Sequence, residues 1–414
     1  MNNQILSKSK APRELISYLR SPDAIRDRCM ELFVRVMEGD SPIFSCDLTQ
    51  MDKVTDYVIE VIRSEYPDLQ IPFHSRWRHF EAGGISRLSH LDSLLNGMSP
   101  LQRALSKFDL AIISVLLDAG AGSRWKYHEE ETGLDFPRSE GLAVASFRLF
   151  CKGGFSGDIL QPFQADAKKL QGFSESYLAT EFQISADNYL VGLSGRCKLL
   201  QKLGKVLLSE SEIFGTDNPR PGNLLNYLLT QSCNNKIPAP KVLEVILRGF
   251  SEVWQGRVEI EGTKLGDVWY HPAVSEDGFV PFHKLSQWLT YSLLEPLQEL
   301  GYEITELEAL TGLPEYRNGG LCIDLGLINP KRPQMLRSPY RVSSEVIVEW
   351  RALTLILLDK IADTIRDKLS MSAEELPLPR ILQGGTWLAG RKIAYEMRTG
   401  GVPPIQIESD GTVF

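Results

Sequence analysis

The sequence predicts a mainly α protein, one large domain of many helices with one or two short strands. Two observations carry that expectation. Apolar residues recur at spacings of three and four over most of the 414 residues, the period of helices that bury one face. Strands do not alternate with helices, as a parallel sheet would require.

Taken in order, Pro22-Asp23 opens a helix through Ile25, Cys29, Leu32, Phe33 and Val36. Asp47 begins another, leading to Val58, Ile59 and Ile62, and Pro72 ends that unit. Residues 1–72 therefore read as an N-terminal helical segment packed on a main body of residues 73–414. His74–Arg87 is polar, aromatic and irregular. Ser99-Pro100 opens a helix over Leu101–Leu117. Further helices are expected at Leu142–Phe150, Asn188–Leu208, from Asn218 through Leu229, and at Lys241–Phe250. The strand candidates are Gln255–Ile260 and Lys264–Trp269. Phe282–Leu300 is a long amphipathic helix containing Pro296, and Thr305–Thr311 is a short one. Ser344–Lys368 and Ile381–Arg398 are the last helices, and an extended tail follows from Pro403.

Composition narrows the function. Hydrophobic residues make up 43% and charged residues 24%, and the net charge is −8. That balance argues against a nucleic-acid partner, which leans on excess Lys and Arg. The six cysteines show no CxxC spacing, so the expected location is a reducing cytoplasm. The leader MNNQILSKSKAPRELI lacks an apolar core segment. The apolar run Leu353–Leu358 is far too short to cross a membrane. The six histidines show no HxxxH pair, so no metal is expected. A GxSxG elbow, a phosphate-binding loop and a dinucleotide fingerprint are missing, and no cofactor is expected.

Leu117–Ser146 is the stretch richest in chemistry. Asp118 ends an apolar run, and Gly120, Gly122, Trp125, Tyr127, three glutamates, Arg138 and Glu140 follow. Glycines permit close backbone approach, and the aromatics offer faces for a planar ligand. The bland alternative is a structural crossing with Asp118 as a cap. His74–Arg87 sets Arg76, Arg78 and His79 around Trp77, either as arginine forks for an anion or as a salt-bridged turn. Asp267 stands beside Trp269 after a strand candidate. It is either a carboxylate able to stabilise a developing cation or a turn residue. Glu315-Tyr316-Arg317 is either a ligand clamp or a cap, and Trp387 and Arg391 share a helix face.

Taken together, LDAGAGSRWKYHEEETG, RSEGLAVAS, GLSGRCKLLQKLG, RPGNLLNYL, GDVWYHP, EYRNGGLCIDLG and the GGVPP tail resemble a fungal and bacterial family. That family was long known only as a domain of unknown function and is associated with uracil catabolism. The resemblance spans nearly the whole chain. It implies a pathway in which uracil becomes a nucleotide, the ring opens, and nitrogen leaves as urea by way of a ribosylurea-type intermediate. The motif order is also similar to that of queuosine-salvage N-glycosylases, all-α enzymes related in fold to helix-hairpin-helix glycosylases. In that comparison Asp118 and Trp125, Arg196, Lys264 with Asp267 and Trp269, and Tyr316 with Arg317 stand at matching places. The Phe282–Leu300 helix is an addition.

The resemblance implies that residues 73–414 form an all-α catalytic domain. It also implies an N-glycosyl hydrolase cleaving the C1′–N bond of a ring-opened pyrimidine nucleotide, such as ribosylurea 5-phosphate. The expected catalytic carboxylate is Asp267, with Asp118 in reserve. Trp125, Tyr127 and Trp269 would line the sugar and base, and Arg76, Arg78, Arg196 and Arg317 would be phosphate candidates. His79, Glu140, Tyr316, Trp387 and Arg391 complete the expected binding residues. The partner is a small nucleotide-derived molecule, with neither nucleic acid nor membrane. The alternatives are an amide hydrolase acting on the opened ring and a non-catalytic binding or scaffold subunit.

Overall fold

The computed structural model describes residues 11–253, 258–274 and 277–408. Helix α1 (Pro22–Met37) starts where the Ser21 side chain accepts from the Ala24 amide, with Pro22 in the first turn. Helix α2 (Met51–Glu65) follows a 3-10 turn at Leu48–Gln50 capped by Asp47. Both bury their apolar faces on the long helix near the C-terminus, described below. Ile25, Leu32 and Val58 belong to the same continuous core as Leu110 and Leu355.

The site rests on the middle of the chain. Short α3 (Arg76–Phe80) follows the His74–Ser75 turn. Helix α4 (Pro100–Leu116) opens on a reciprocal capping box between Ser99 and Gln102. A hairpin of β1 (Lys126–Glu129) and β2 (Leu134–Pro137) leads into α5 (Arg138–Cys151). Helix α6 is Leu193–Ser209. A second hairpin, β3 (Val268–Tyr270) with β4 (Phe279–Pro281), feeds α7 (Lys284–Glu299), which is buried on most of its circumference. Then come α8 (Tyr316–Asp324), the 25-residue α9 (Glu345–Leu369) and α10 (Trp387–Met397). Gly390 lets α10 press on α8, because a Cβ there would lie 2.3 Å from the Arg317 carbonyl oxygen.

The protein is mainly α, as the periodicity predicts, and every sheet among the described residues has two strands. Boundaries differ where side chains compete for the backbone. The Asn188–Leu208 helix begins only at Leu193. Asn188 donates its amide to the carbonyls of Lys126 and Gln183, and Gly192 turns at φ +77°. The Leu142–Phe150 helix extends back to Arg138. Thr305–Thr311 is not an α-helix but the end of strand Glu303–Thr305 followed by a 3-10 turn. Of the expected 255–260 strand, residues 255–257 lie outside the described residues, while Glu259–Ile260 pairs with Thr263–Lys264. The helix predicted at Ile381–Arg398 starts earlier, at Leu378, and passes through a π-type turn at Leu382–Thr386. The tail contributes Gln406–Glu408, parallel to Pro339–Arg341.

The β1–β2 hairpin is locked by Glu129, a carboxylate with no solvent exposure. It accepts from Arg87 Nε at 2.7 Å, Arg148 Nε at 2.6 Å and Thr132 Oγ at 2.8 Å. Burial pushes its pKa up, but the bonds from Arg87, Thr132 and Arg148 outweigh that and hold it down at about 2, against an ordinary 4.5. Removing this charge strands two guanidinium groups, so Glu129→Gln is expected to lose roughly 3–5 kcal/mol in urea unfolding at pH 7. The carboxylate's contribution is present above pH 4.5 and fades as pH falls toward 2. The gap between wild type and variant should therefore narrow in acid; a gap independent of pH contradicts this account.

Candidate active site

The C-terminal end of α4 and the starts of α5, α7, α8 and α10 line a cavity of about 300 Å³. Asp118, one residue past the C-cap of α4, lies on its wall. Its carboxylate is 11% exposed and lies 3.1 Å from Arg76 Nη1. The Ser139 hydroxyl is 2.8 Å from each of its oxygens. Arg76 is completely buried and also donates from Nε to Ser114 Oγ at 2.7 Å. Ser114 in turn meets Ser146 on α5 at 2.6 Å. A chain of polar groups thus ties α3, α4 and α5 together and presents one carboxylate to the cavity.

A second carboxylate on the lining, Glu315, caps α8 by accepting from the amides of Arg317 and Asn318 at 3.0 and 2.7 Å. Burial raises its pKa, and neighbouring Arg317 and the two amides offset this only in part. Cations share the lining: Arg138, Arg317 and Lys284. The Arg317 guanidinium lies 4.3 Å from the centroid of the Trp387 ring. Burial pulls the Lys284 ammonium below its usual range, and Arg351 adds to that, while Glu315, Asp267 and Asp118 oppose it. Trp288, Trp387, His74 and His79 supply the flat surfaces.

Of the residues expected from sequence, Asp118, His79, Tyr316, Arg317 and Trp387 line this cavity together. Arg76 stands behind Asp118. Glu140 and Arg391 pair at 2.9 Å, and Arg391 borders a side pocket that shares Arg138, Tyr316, Arg317 and Pro403 with the main one. The rest are elsewhere. Trp125 is buried, stacks on Phe182 and donates to the Phe182 carbonyl at 2.9 Å. Tyr127 is buried in the hairpin. Arg78 faces Glu295 at 3.0 Å. Arg196 directs its donors to backbone carbonyls, with Nε on Leu117 at 3.0 Å and its other nitrogens on Val191, Ala119 and Gly120. It shapes the wall at 119–122 and has no fork left for a phosphate. Burial lowers its pKa to about 10, against the pull of Asp118.

Asp267, the carboxylate expected at the reacting carbon, does not line the main cavity. It borders a separate pocket of about 20 Å³. Both its oxygens accept from Arg351 at 2.8 Å, one also from Trp269 Nε1 at 2.6 Å and the other from the Lys284 amide at 2.9 Å. Four donors fill a carboxylate's acceptor sites. Burial works to raise its pKa, but Arg351, Trp269 and the Lys284 amide win and hold it low. Asp267 thereby fixes the start of α7, and with it Lys284. Trp269 belongs to the same anchor. Nothing in the sequence marks His74, Ser139, Lys284 or Trp288 for the site, and Glu315 is visible only as the leader of the Tyr316-Arg317 motif.

A family described as "Protein of unknown function (DUF1688)" matches residues 18–414. The chain belongs to this family. It is 37% identical to "Uracil catabolism protein 4" of Lachancea kluyveri over 96% of this chain and 99% of that protein. It is 39% identical to "Protein urg3" of Schizosaccharomyces pombe (strain 972 / ATCC 24843) over 97% of this chain and 99% of that protein. Among the described residues no helix is long and apolar enough to cross a membrane. No group of three or more His, Cys, Asp or Glu among them could hold a metal ion.

The anchoring geometry of Asp267 has a measurable consequence. Asp267→Asn removes the carboxylate charge paired with the Arg351 guanidinium, which is 2% exposed. It is expected to cost roughly 3–5 kcal/mol in denaturant unfolding. A carboxylate serving chemistry alone would leave unfolding nearly unchanged.

Proposed function

We propose that this protein is an N-glycosyl hydrolase of uracil catabolism. It cleaves the C1′–N bond of a ring-opened pyrimidine nucleotide such as ribosylurea 5-phosphate, and water completes the products urea and ribose 5-phosphate. The observation that carries the reading is Asp118, a carboxylate held by Arg76 and Ser139 on the wall of a cavity that also holds three cations and two indoles. The name of the Lachancea kluyveri relative, a uracil catabolism protein, supports the pathway.

Glycosidic cleavage builds positive charge at C1′, and a fixed carboxylate beside that carbon stabilises it. Asp118 takes that role, oriented by two donors that leave its cavity face open. A urea nitrogen is a poor leaving group unless a proton reaches it. Glu315, with its pKa raised by burial, is the proton donor. Arg317, Arg138 and Lys284 hold the phosphate, and Trp387 and Tyr316 flank the sugar. Asp267 acts through Lys284 as a positioning residue.

The test is to incubate purified protein with ribosylurea 5-phosphate and measure urea and ribose 5-phosphate. Asp118→Asn should keep substrate affinity and lose about 10²–10³ in kcat. The acid form of Glu315 exists below its pKa, so kcat should fall as pH rises through it, and Glu315→Gln should lose that alkaline limb. Release of ammonia instead of urea points to an amide hydrolase. Binding without any release points to a non-catalytic subunit. No release from this or any other ring-opened product of uridine monophosphate, with intact nucleotides also inert, sinks the glycosidase reading.

A further inference from the structure

Part of the cavity wall consists of four rings. His79 lies 5.2 Å from Trp288 and 5.6 Å from Trp387, centroid to centroid, and His74 lies 5.5 Å from Trp387. The two imidazoles are 6.2 Å apart, edge to face. Both are nearly sealed, His74 at 4% and His79 at 6% exposure. Both are neutral near pH 7. Burial lowers His74 to about 4. Burial, with Arg76 alongside, lowers His79 well below its ordinary range.

Their neighbours fix opposite tautomers. His79 Nδ1 faces Arg76 Nη1 at 3.3 Å and Ser139 Oγ at 3.0 Å. A guanidinium only donates, and the single Ser139 proton is shared between Asp118 and this nitrogen, so Nδ1 accepts and the His79 proton sits on Nε2. That Nε2–H is buried and has no partner among the described residues. His74 Nδ1 faces Gln383 Oε1 at 2.9 Å, while the same amide's nitrogen points to Tyr66 Oη at 3.4 Å. A carbonyl oxygen only accepts, so here the proton sits on Nδ1 and Nε2 keeps its lone pair. The wall therefore offers one donor and one acceptor from neighbouring rings. The indole N–H of Trp288 is a second buried donor without a partner among the described residues.

We propose that His79 and His74 form a donor–acceptor pair that reads the H–N–C=O edge of a neutral amide or ureido group on the ligand. His79 Nε2–H meets the carbonyl oxygen, with Trp288 Nε1–H available for its second lone pair, and His74 Nε2 takes the N–H. An anion fits worse, because it would face the His74 lone pair and neutral rings rather than cations. The cations lie at Arg317, Arg138 and Lys284, which leaves the ring wall to the uncharged end of the ligand. The inference deepens the proposed function, resting on the same cavity but not on bond cleavage. A donor on the carbonyl that strengthens as a ureido group departs would also favour cleavage.

Two measurements on the intact wild-type chain test it. In long-range proton–nitrogen correlation of histidine-labelled protein at pH 6–8, His79 should appear with its proton on Nε2 and His74 with its proton on Nδ1. The reverse tautomer for either ring, or a charged ring at pH 6, overturns the proposal. Calorimetry then compares ribosylurea 5-phosphate with its terminal N,N-dimethyl derivative and with ribose 5-phosphate. Loss of the edge N–H, or of the whole ureido group, should weaken binding about tenfold or more, since a buried partner is left unpaired. His79→Phe should level the three affinities. Equal binding of the three by wild type, or no binding of the ureido probe, refutes the pair. Preference for the ureido edge without turnover upholds it while the glycosidase reading falls, and turnover without that preference does the opposite.

Discussion

Arg76 carries a positive charge to a place that water does not reach, and much of the site follows from how that charge is met. An unpaired buried guanidinium costs several kcal/mol, so the groups around it are constrained together. Asp118 supplies the counter-charge from the end of α4, and Ser139 at the start of α5 braces both. Ser114 takes Nε from inside α4, and the Arg76 backbone amide donates to Ser292 on α7 at 2.9 Å. Its Cζ lies 5.4 Å from the Trp288 ring centroid. One side chain therefore sets the relative positions of four helices, orients the carboxylate and decides which nitrogen of His79 holds the proton.

A second buried pair, Asp267 with Arg351, does the corresponding work one layer back. Its geometry is two-pronged at 2.8 Å, the arrangement in which a carboxylate and a guanidinium match best. The two pairs differ in what is left over. Asp267 has four donors on two oxygens. Asp118 has two donors and a face on the cavity. That difference separates an anchoring carboxylate from one able to meet a ligand, although in sequence both are aspartates near tryptophans.

Most of the fold is legible in the sequence because helices announce themselves by period. Ser99-Pro100 and Pro22-Asp23 are start signals made by nearby residues, and the helices begin where they predict. The β1–β2 hairpin is not legible. Its stretch reads as a glycine- and charge-rich connector, and what makes it a hairpin is Glu129 pairing with Arg87, 42 residues away in sequence. The Asn188–Gly192 segment departs from its helical expectation for the same reason, since its fate is set by bonds to β1, 62 residues earlier. At the site, Asp118, Tyr316, Arg317 and Trp387 stand out as charged or aromatic residues at helix ends. His74, Lys284 and Trp288 do not. Lys284 and Trp288 lie in a helix that looks like core, His74 opens a polar stretch in which the arginines and His79 carry the signal, and only the third dimension brings them to one wall. Trp125 and Arg196 mislead in the opposite sense: an aromatic and a cation in suggestive motifs turn out to satisfy backbone carbonyls.

What the site gains from this arrangement is a division of polarity within one small volume. The carboxylate end and the cationic residues are charged, and their charges are set against one another: Arg76 on Asp118, and Glu315, Asp118 and Asp267 on Lys284. The ring wall is neutral because burial, with Arg76 beside His79 and Arg317 near His74, disfavours the charged imidazolium form. A ligand that is anionic at one end and an uncharged hydrogen-bonding plane at the other is matched by that division, whereas a uniformly charged or uniformly apolar molecule is not. The match also constrains chemistry. A neutral donor already in place beside a leaving group strengthens its bond as negative charge grows there and needs no reorganisation to do so. The buried Arg76 that faces His79 Nδ1 is the same group that orients Asp118, so the ring wall and the carboxylate are positioned by one side chain.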